Sequence, residues 1–175
     1  MRNRKKKNGS NRLENLSTLI LTGDDIKPDF DGVYDEIRPL RLEIGCGKGD
    51  FITGVSVSEP DYNYIAVERI SDVALSAVEK YACSRGLGTL DYHGGWRGPD
   101  GTVYKGEKWD IPVEMRGNVR FFIGDAAAFL GIAPRGCFDR IYANFSDPWP
   151  KSRHESRRLT HPGFLEKYSG LLAPG

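Results

Sequence analysis

The sequence predicts an α/β protein in which helices cover both faces of a mostly parallel sheet. From residue 40 onward, short apolar runs alternate with stretches of helical spacing. Acidic residues stand at or near the ends of three successive predicted strands, namely Glu43, Glu68 and Asp125. Because such folds bind ligands at the carboxyl ends of their strands, this repetition assigns the expected chemistry to one edge of the sheet.

The predicted elements follow one another in strand–helix order. The predicted strands are residues 40–44, 63–67, 119–123 and an alternating run from 138 to 143. The predicted helices begin near residue 50 and run over 71–84, 126–130 and 162–172. Ser71 is the expected N-cap of the second helix, and Pro162 suits the first turn of the last one.

The remaining residues divide into three parts. Residues 1–12 are polar and basic, and their composition predicts a disordered tail. Residues 13–37 are expected to form an irregular N-terminal extension to the domain at 38–175. Within that domain, residues at about 88–117 form a predicted insert that is rich in glycine and aromatic side chains. A hairpin through 102–104 and 108–111 fits the turn residues of this insert.

The composition excludes several classes of protein. The 175 residues suit one domain, and a formal net charge of +1 leaves local clusters to attract nucleic acid. Three cysteines without CxxC spacing predict neither a disulfide framework nor a metal site, and favour a reducing compartment. No apolar run approaches the roughly 18 residues of a membrane span, and no secretory signal is recognisable. We therefore expect a soluble, cytoplasmic protein.

Glycines follow the first predicted strand in the pattern Glu43-x-Gly45-x-Gly47-x-Gly49. Glycine lets the backbone turn sharply and approach a ligand without a Cβ in the way. The spacing differs from the GxGxxG of dinucleotide-binding folds and resembles motif I of class I S-adenosylmethionine methyltransferases. The resemblance implies a Rossmann-like class I methyltransferase domain with S-adenosyl-L-methionine as its cofactor.

Acidic side chains complete the predicted cofactor site. Glu68 stands where a carboxylate can accept both hydroxyls of a ribose. Asp125 with its flanking amides suits the adenine amino group, and Glu43 suits the methionine ammonium. Singly, each has a plainer interpretation: Glu68 as an exposed strand-end acid, and Asp125 as the N-cap of the helix at 126. Their order at consecutive strand ends favours cofactor binding.

The most specific motif of the chain runs from Asn144 to Leu159. It places Asp147 on a proline-stiffened loop directly before a basic cluster, in the order Asn-Phe-Ser-Asp-Pro-Trp-Pro-Lys-Ser-Arg-His-Glu-Ser-Arg-Arg-Leu. This run resembles the bacterial tRNA (guanine-N7)-methyltransferase family. The resemblance implies methyl transfer from S-adenosyl-L-methionine to N7 of the guanosine at position 46, in the variable region of tRNA.

The resemblance also implies roles for single residues. The Asp of this motif is the active-site residue of the family, which implies that Asp147 acts in catalysis beside the cofactor. The Lys takes part in ligand binding, and the Arg/His stretch contacts RNA. These roles carry over to Lys151, Arg153, His154, Arg157 and Arg158. The family usually has a basic residue where this chain has Ser156, so we expect weaker RNA binding.

The resemblance covers about residues 38–174. Relatives continue through a strand bearing Thr-Asp-Asn and a later Thr-x-x-Glu motif. The C-terminal strands are therefore expected to be missing, and the strand around Ile141 to form a bare sheet edge. Two alternatives stay open: a truncated, non-catalytic tRNA- or RNA-binding module, and a methyltransferase acting on another RNA atom. tRNA is the expected partner, and the sequence is compatible with a monomer.

Overall fold

A parallel five-stranded sheet forms the centre of the computed structural model, which describes residues 5–27, 30, 32–144, 153, 155 and 158–174. In spatial order its strands are β1 (Ile20–Leu21), β7 (Val119–Ile123), β3 (Asn63–Glu68), β2 (Leu40–Ile44) and β8 (Phe138–Tyr142). The four strands predicted from the sequence are all present, with bounds that agree to within one residue. They occupy adjacent positions in the sheet.

Helices pack on both faces of this sheet. They are α1 (Gly9–Asn15), α2 (Asp50–Ser58), α3 (Ser71–Ser84), α4 (Ala126–Ile132) and α5 (Pro162–Leu171). Residues of α2 and α3 share one buried cluster with Tyr64 and Ala66 of β3, whereas residues of α4 and α5 share another with Ile65 and Val67. Because alternate residues of one strand enter different clusters, the sheet is buried on both faces. The predicted α/β class is confirmed.

The helices α5 and α3 both begin at the residues that the sequence predicts. The helix α5 begins at Pro162, and His161 caps it by accepting a hydrogen bond from the Gly163 N–H at 3.2 Å. The helix α3 begins at the predicted residue, but its N-cap is Ile70 rather than Ser71. The Ile70 N–H instead donates to Glu68 Oε1 at 2.9 Å. The carboxylate at the end of β3 therefore satisfies the N–H of the N-cap residue, whose own side chain makes no capping hydrogen bond.

The N-terminal segment is more ordered than its composition predicts. Residues 1–12 are predicted as a disordered tail, yet α1 begins at Gly9 and packs beside α3. The Arg12 guanidinium donates to both carboxylate oxygens of Glu79, at 2.8 and 2.7 Å, and Lys6 lies 3.3 Å from the same group. A basic run gains a fixed position when a carboxylate on another helix neutralises it. That partner lies far away in the sequence.

The insert forms its own small sheet, although its pairing differs from the prediction. Its antiparallel strands are β4 (Thr89–Leu90), β5 (Trp96–Arg97) and β6 (Val103–Tyr104). The predicted hairpin between 102–104 and 108–111 is wrong, because β6 pairs with β5. The Trp109 N–H donates instead to the Asn15 carbonyl at 3.1 Å, so this stretch attaches to the N-terminal segment.

The strand β8 lies at one end of the sheet and has β2 as its neighbour. On its other side, Leu172 forms one parallel bridge with Phe138, and the Ala173 N–H donates to the Phe138 carbonyl at 2.8 Å. The edge that the sequence predicts to be bare therefore has a contact at its first residue.

Among the described residues, no helix combines the length and apolar character needed to cross a membrane.

Candidate active site

The carboxyl ends of four strands meet at one edge of the sheet. Ile44 lies beside Val67 in the register of β2 and β3, and Glu68 lies beside Ile123 in that of β3 and β7. The chain builds outward from β2 through β3 to β7, then returns to place β8 on the other side of β2. Ligands of open α/β sheets bind in the crevice at such a reversal of strand order. The expected crevice therefore lies beyond the end of β2.

A glycine loop closes the end of β2 and leads into α2. The N–H groups of Gly45 and Cys46 donate to the Val67 carbonyl at 2.8 and 3.1 Å, which holds the loop against β3. Gly45 and Gly47 both have positive φ, at 73° and 58°. A Cβ built on either residue meets no atom within 4 Å, so the space beside the loop is open.

Gly49 has a different reason to be glycine. Its φ is 80°, and it forms the left-handed N-cap of α2. A Cβ built there would lie 2.8 Å from the Cβ of Ala77, on α3. Gly49 therefore permits the close approach of the loop to α3, and its absent side chain is a packing requirement.

Glu68 joins the glycine loop to the start of α3. Its Oε2 accepts from the Gly47 N–H at 3.1 Å, while its Oε1 accepts from the Ile70 N–H. An ionised carboxylate has about four lone-pair positions, so each oxygen can accept a further hydrogen bond. Glu68 thus fixes the loop and keeps acceptor capacity for the hydroxyls that the sequence assigns to it.

Glu43 is a buried carboxyl group near the end of β2. Its residue is 2% exposed, and its Oε2 has no hydrogen-bond partner among the described residues. Burial raises the pKa of Glu43 to about 7, although the Asn144 side chain and the Ile52 N–H favour the ionised form. The Nδ2 of Asn144 approaches this carboxyl without reaching full hydrogen-bond geometry. A buried acceptor with an unused oxygen suits a cationic or hydrogen-bond-donating ligand group.

Cys46 is a buried residue of the same glycine loop. Burial raises the pKa of Cys46, and the nearby charges of Glu43 and Glu68 raise it further. A thiol in such surroundings stays protonated and is a poor nucleophile. Cys46 therefore serves as a small packing residue of the loop rather than as a nucleophile.

Asp125 caps α4 at the end of β7. Its Oδ1 accepts from the N–H groups of Ala127 and Ala128 at 2.8 and 3.4 Å. The plainer interpretation of this residue, as an N-cap, is therefore confirmed. The residue is exposed, so the cap does not exclude contact with a ligand base.

Part of the basic motif lies outside the described residues. This applies to the predicted catalytic Asp147 and to Lys151, His154 and Arg157. Arg153 is exposed, and Arg158 is partly buried in a turn where its N–H donates to the Glu155 carbonyl at 3.0 Å. Nearby, His161 caps α5, and its Nδ1 accepts the hydrogen bond from the Gly163 N–H.

Sequence reasoning missed the buried Arg41, which shares a face of β2 with Glu43. Arg41 is 3% exposed, pairs with Asp139 at 2.9 Å and with Glu59, and lies 3.2 Å from the ring centroid of Tyr62. It thereby links β2 to β8 and to the residue that follows α2. The signal available in the sequence was the spacing of Arg41 and Glu43, two charges on one face of a buried strand.

The residues at the strand ends fit an S-adenosyl-L-methionine molecule. The unused Glu43 oxygen suits a cationic group, the open space beside Gly45 and Gly47 admits a ligand against the backbone, and Glu68 has spare acceptor positions. These features lie along one edge, at the reversal of strand order.

Comparison with known proteins identifies the family. Residues 37–175 match the family described as "Putative methyltransferase". A tRNA (guanine-N(7)-)-methyltransferase of Lactococcus lactis subsp. cremoris (strain SK11) is 34% identical over 175 residues, covering 99% of this chain and 67% of that protein. The enzyme of the same name from Streptococcus pyogenes serotype M5 (strain Manfredo) is 34% identical over 173 residues, with 98% and 68% covered.

A solved structure titled "Structure of an antibiotic related Methyltransferase" is similar over 92% of this chain and 64% of that one, with a TM-score of 0.47 and 17% identity. That likeness is too distant to inform the site. The sequence relatives are close enough to decide the family, because their identity extends over nearly the whole chain. The chain therefore belongs to the tRNA (guanine-N7)-methyltransferase family and has its Rossmann-like class I methyltransferase fold.

Proposed function

We propose that this chain transfers a methyl group from S-adenosyl-L-methionine to N7 of a guanosine in tRNA. The observation that carries the proposal is 34% identity over 98–99% of the chain to proteins named tRNA (guanine-N(7)-)-methyltransferase. The family resemblance of the loop at 144–159 adds the guanosine at position 46, in the variable region, as the target.

The cofactor would lie along the carboxyl ends of the strands. Glu68 would accept hydrogen bonds from the ribose hydroxyls, and Asp125 would face the adenine. Glu43 would receive the methionine ammonium, and its buried, unpartnered Oε2 supports this assignment. The cofactor supplies an electrophilic methyl group on a sulfonium. The protein's part is to hold that methyl in line with the attacking nitrogen.

Guanine N7 needs little help from acid–base chemistry. It carries an in-plane lone pair and no proton, so methylation requires no general base. Positive charge develops on the purine during transfer, and a fixed carboxylate beside the base stabilises that charge. We assign this role to Asp147, which can also accept hydrogen bonds from guanine N1–H and N2–H₂. The assignment rests on the sequence motif, since Asp147 lies outside the described residues.

The basic part of the motif would bind the RNA backbone. Such contacts are individually modest and add up through counterion release. The proposed contacts come from the cationic stretch after Asp147, namely Lys151, Arg153, His154, Arg157 and Arg158. Recognition of tRNA would then depend on shape and phosphates, with the target base unstacked toward Asp147.

Incubation with unmodified tRNA and radiolabelled S-adenosyl-L-methionine tests the proposal, followed by nucleoside mass spectrometry. We expect 7-methylguanosine from the unaltered chain and at least a 100-fold slower reaction from Asp147→Ala, in line with the loss of electrostatic stabilisation (about 10²–10³-fold). Asp61→Ala is the matched control, because Asp61 is exposed and lies just before β3 at the opposite edge of the sheet.

Other outcomes separate the alternatives. Label on a different atom of the RNA would overturn the guanine-N7 assignment while leaving methyltransferase activity intact. Binding of tRNA without any methyl transfer would favour a non-catalytic RNA-binding module. In that case Asp147→Ala would leave tRNA affinity unchanged.

A further inference from the structure

Tyr92 is the most exposed large hydrophobic side chain of the described residues, with a relative exposure of 105%. The other aromatic residues of the insert behave differently. Trp96 is 1% exposed and donates its indole N–H to the Leu87 carbonyl at 2.8 Å. Tyr104 and Trp109 stack on each other, with ring centroids 5.5 Å apart. Tyr92 alone among these aromatic residues presents its whole ring to solvent.

The turn that carries Tyr92 is held firmly. Asp91 is 6% exposed, and its Oδ2 accepts from the His93 N–H at 2.9 Å. The Gly94 N–H donates to the Asp91 carbonyl at 2.9 Å, and Arg97 pairs with Asp91 Oδ1 at 2.7 Å. Because the backbone is already fixed, little conformational entropy is lost when a partner contacts the ring. A rigid aromatic ring on a preorganised turn is suited to stacking.

The turn lies beside the N-terminal segment. A Cβ built on Gly94 would lie 2.5 Å from Asn8 Nδ2, so these two residues touch. Two residues before Asn8, the Lys6 N–H donates to Asp72 Oδ1 at 3.2 Å, in the first turn of α3. That turn follows Arg69 and the end of β3 directly. A continuous rim therefore leads from the end of β3, along the N-terminal segment, to Tyr92.

The cations along this rim differ in whether they form ion pairs. Lys6 and Arg12 neutralise Glu79 on α3. Lys5, Lys7 and Arg69 are exposed, and within the described part of the chain none of the three forms an ion pair. Within the described residues, the rim thus combines an exposed ring with three cations that form no ion pair there. We call Lys5, Lys7, Arg69 and Tyr92 the Tyr92 rim.

We infer that the Tyr92 rim binds a single-stranded part of the RNA substrate, with an unpaired base stacked on Tyr92 and phosphates beside Lys5, Lys7 and Arg69. Nucleic acid is favoured over a protein partner because the N-terminal segment that contacts the Tyr92 turn carries exposed cations, which suit phosphates. The inference rests on the proposed function for the identity of the RNA. It adds a contact on the insert, apart from the proposed methyl-transfer site.

Affinity for an unmodified tRNA transcript, measured by fluorescence anisotropy at several salt concentrations, tests the stacking contact. Tyr92→Ala should weaken binding about 5- to 150-fold, since base–aromatic stacking is worth about 1–3 kcal/mol per base. Tyr92→Phe should retain the affinity, because it keeps the ring. Ile37→Ala is the matched control, as Ile37 is similarly exposed (97%), in the connection before β2.

The salt dependence tests the cations separately. The plot of log affinity against log salt has a negative slope. Lys5→Ala combined with Lys7→Ala should make this slope less steep, by about 1 for each phosphate contact removed. Tyr92→Ala should lower the affinity and leave that slope unchanged. The two classes of variant therefore have different expected readouts, which a general loss of folding would not reproduce.

Equal tRNA affinity of Tyr92→Ala and the unaltered chain would overturn this inference, and the exposed ring would then be a protein contact or serve no partner. The proposed function would survive that result, provided that 7-methylguanosine still forms. Failure of the unaltered chain to bind tRNA at all would overturn both. The comparison of variant with parent therefore distinguishes the two failures.

Discussion

The glycine loop and the layer formed by α1 with the insert differ in how far their sequence determines their structure. The loop at 45–49 lies where the motif predicts, and each glycine has a positive φ. The outer layer contradicts two expectations, since residues 9–12 are helical and β6 pairs with β5. The loop needs backbone conformations at positive φ, which few residues other than glycine adopt. Its glycines can therefore be recognised in a short stretch of sequence. The outer layer depends on contacts between residues that are distant in the sequence, and no short sequence pattern predicts such contacts.

The largest expected effect concerns whether the outer layer belongs to the core. Trp96 is buried against Leu87 in the same cluster as Tyr81 and Phe121. Trp96→Ala should lower the free energy of unfolding by about 3–5 kcal/mol, because it leaves a large cavity. Urea unfolding followed by circular dichroism measures this change. Tyr92→Ala is the control from the same insert and should change stability by less than about 0.5 kcal/mol.

A loss below about 1 kcal/mol for Trp96→Ala would contradict this picture. The insert would then contribute little to the stability of the domain. A loss of the expected size would show that the chain needs the insert to bury one face of its sheet. The insert would then contribute more to the free energy of unfolding than the glycine loop, although its structure is harder to predict from the sequence.

How far the sequence could predict the molecule follows from the range of the interactions. The bounds of β2 and β7 and the cap of α5 come from neighbouring residues and were predictable. The pairing of Arg12 with Glu79 joins positions 67 apart and was not. At the site, strand-end positions were predictable for Glu43, Glu68 and Asp125. Their hydrogen bonds were not: Glu68 accepts from the Gly47 N–H, and Glu43 Oε2 has no hydrogen-bond partner among the described residues.

The second prediction concerns the glycine loop itself. Gly49→Ala should lower the free energy of unfolding by about 2–3 kcal/mol, because a side chain is strained at positive φ and meets Ala77. Gly54→Ala in the middle of α2 is the matched control. Gly54 is exposed and a Cβ there meets nothing within 4 Å, so this change should stabilise the chain by up to about 1 kcal/mol.

The two glycine variants should also differ in ligand affinity. Isothermal titration with S-adenosyl-L-methionine should show binding to Gly54→Ala and a loss of at least 10-fold for Gly49→Ala, because the loop must shift away from α3. Equal stability of the two variants would contradict the packing role assigned to Gly49. The loop would then owe its glycine to the ligand alone.

The last prediction tests the buried carboxyl of Glu43 through the pH dependence of stability. Burial raises its folded-state pKa to about 7, above the ordinary value of 4.5, so the folded chain holds the proton more tightly than the unfolded chain. Stability from this group is therefore present at low pH and is lost as pH rises from about 4.5 toward 7, by about 1.4 kcal/mol for each unit of pKa difference. Glu43→Gln should lack this loss, and unfolding midpoints of variant and parent across that range measure it. Because a bound ammonium group favours the ionised form, titration of the parent with S-adenosyl-L-methionine near pH 6 should release protons, detectable as a dependence of binding heat on the buffer. Parallel stability curves for variant and parent would show that folding does not raise the pKa of Glu43, which would contradict this prediction.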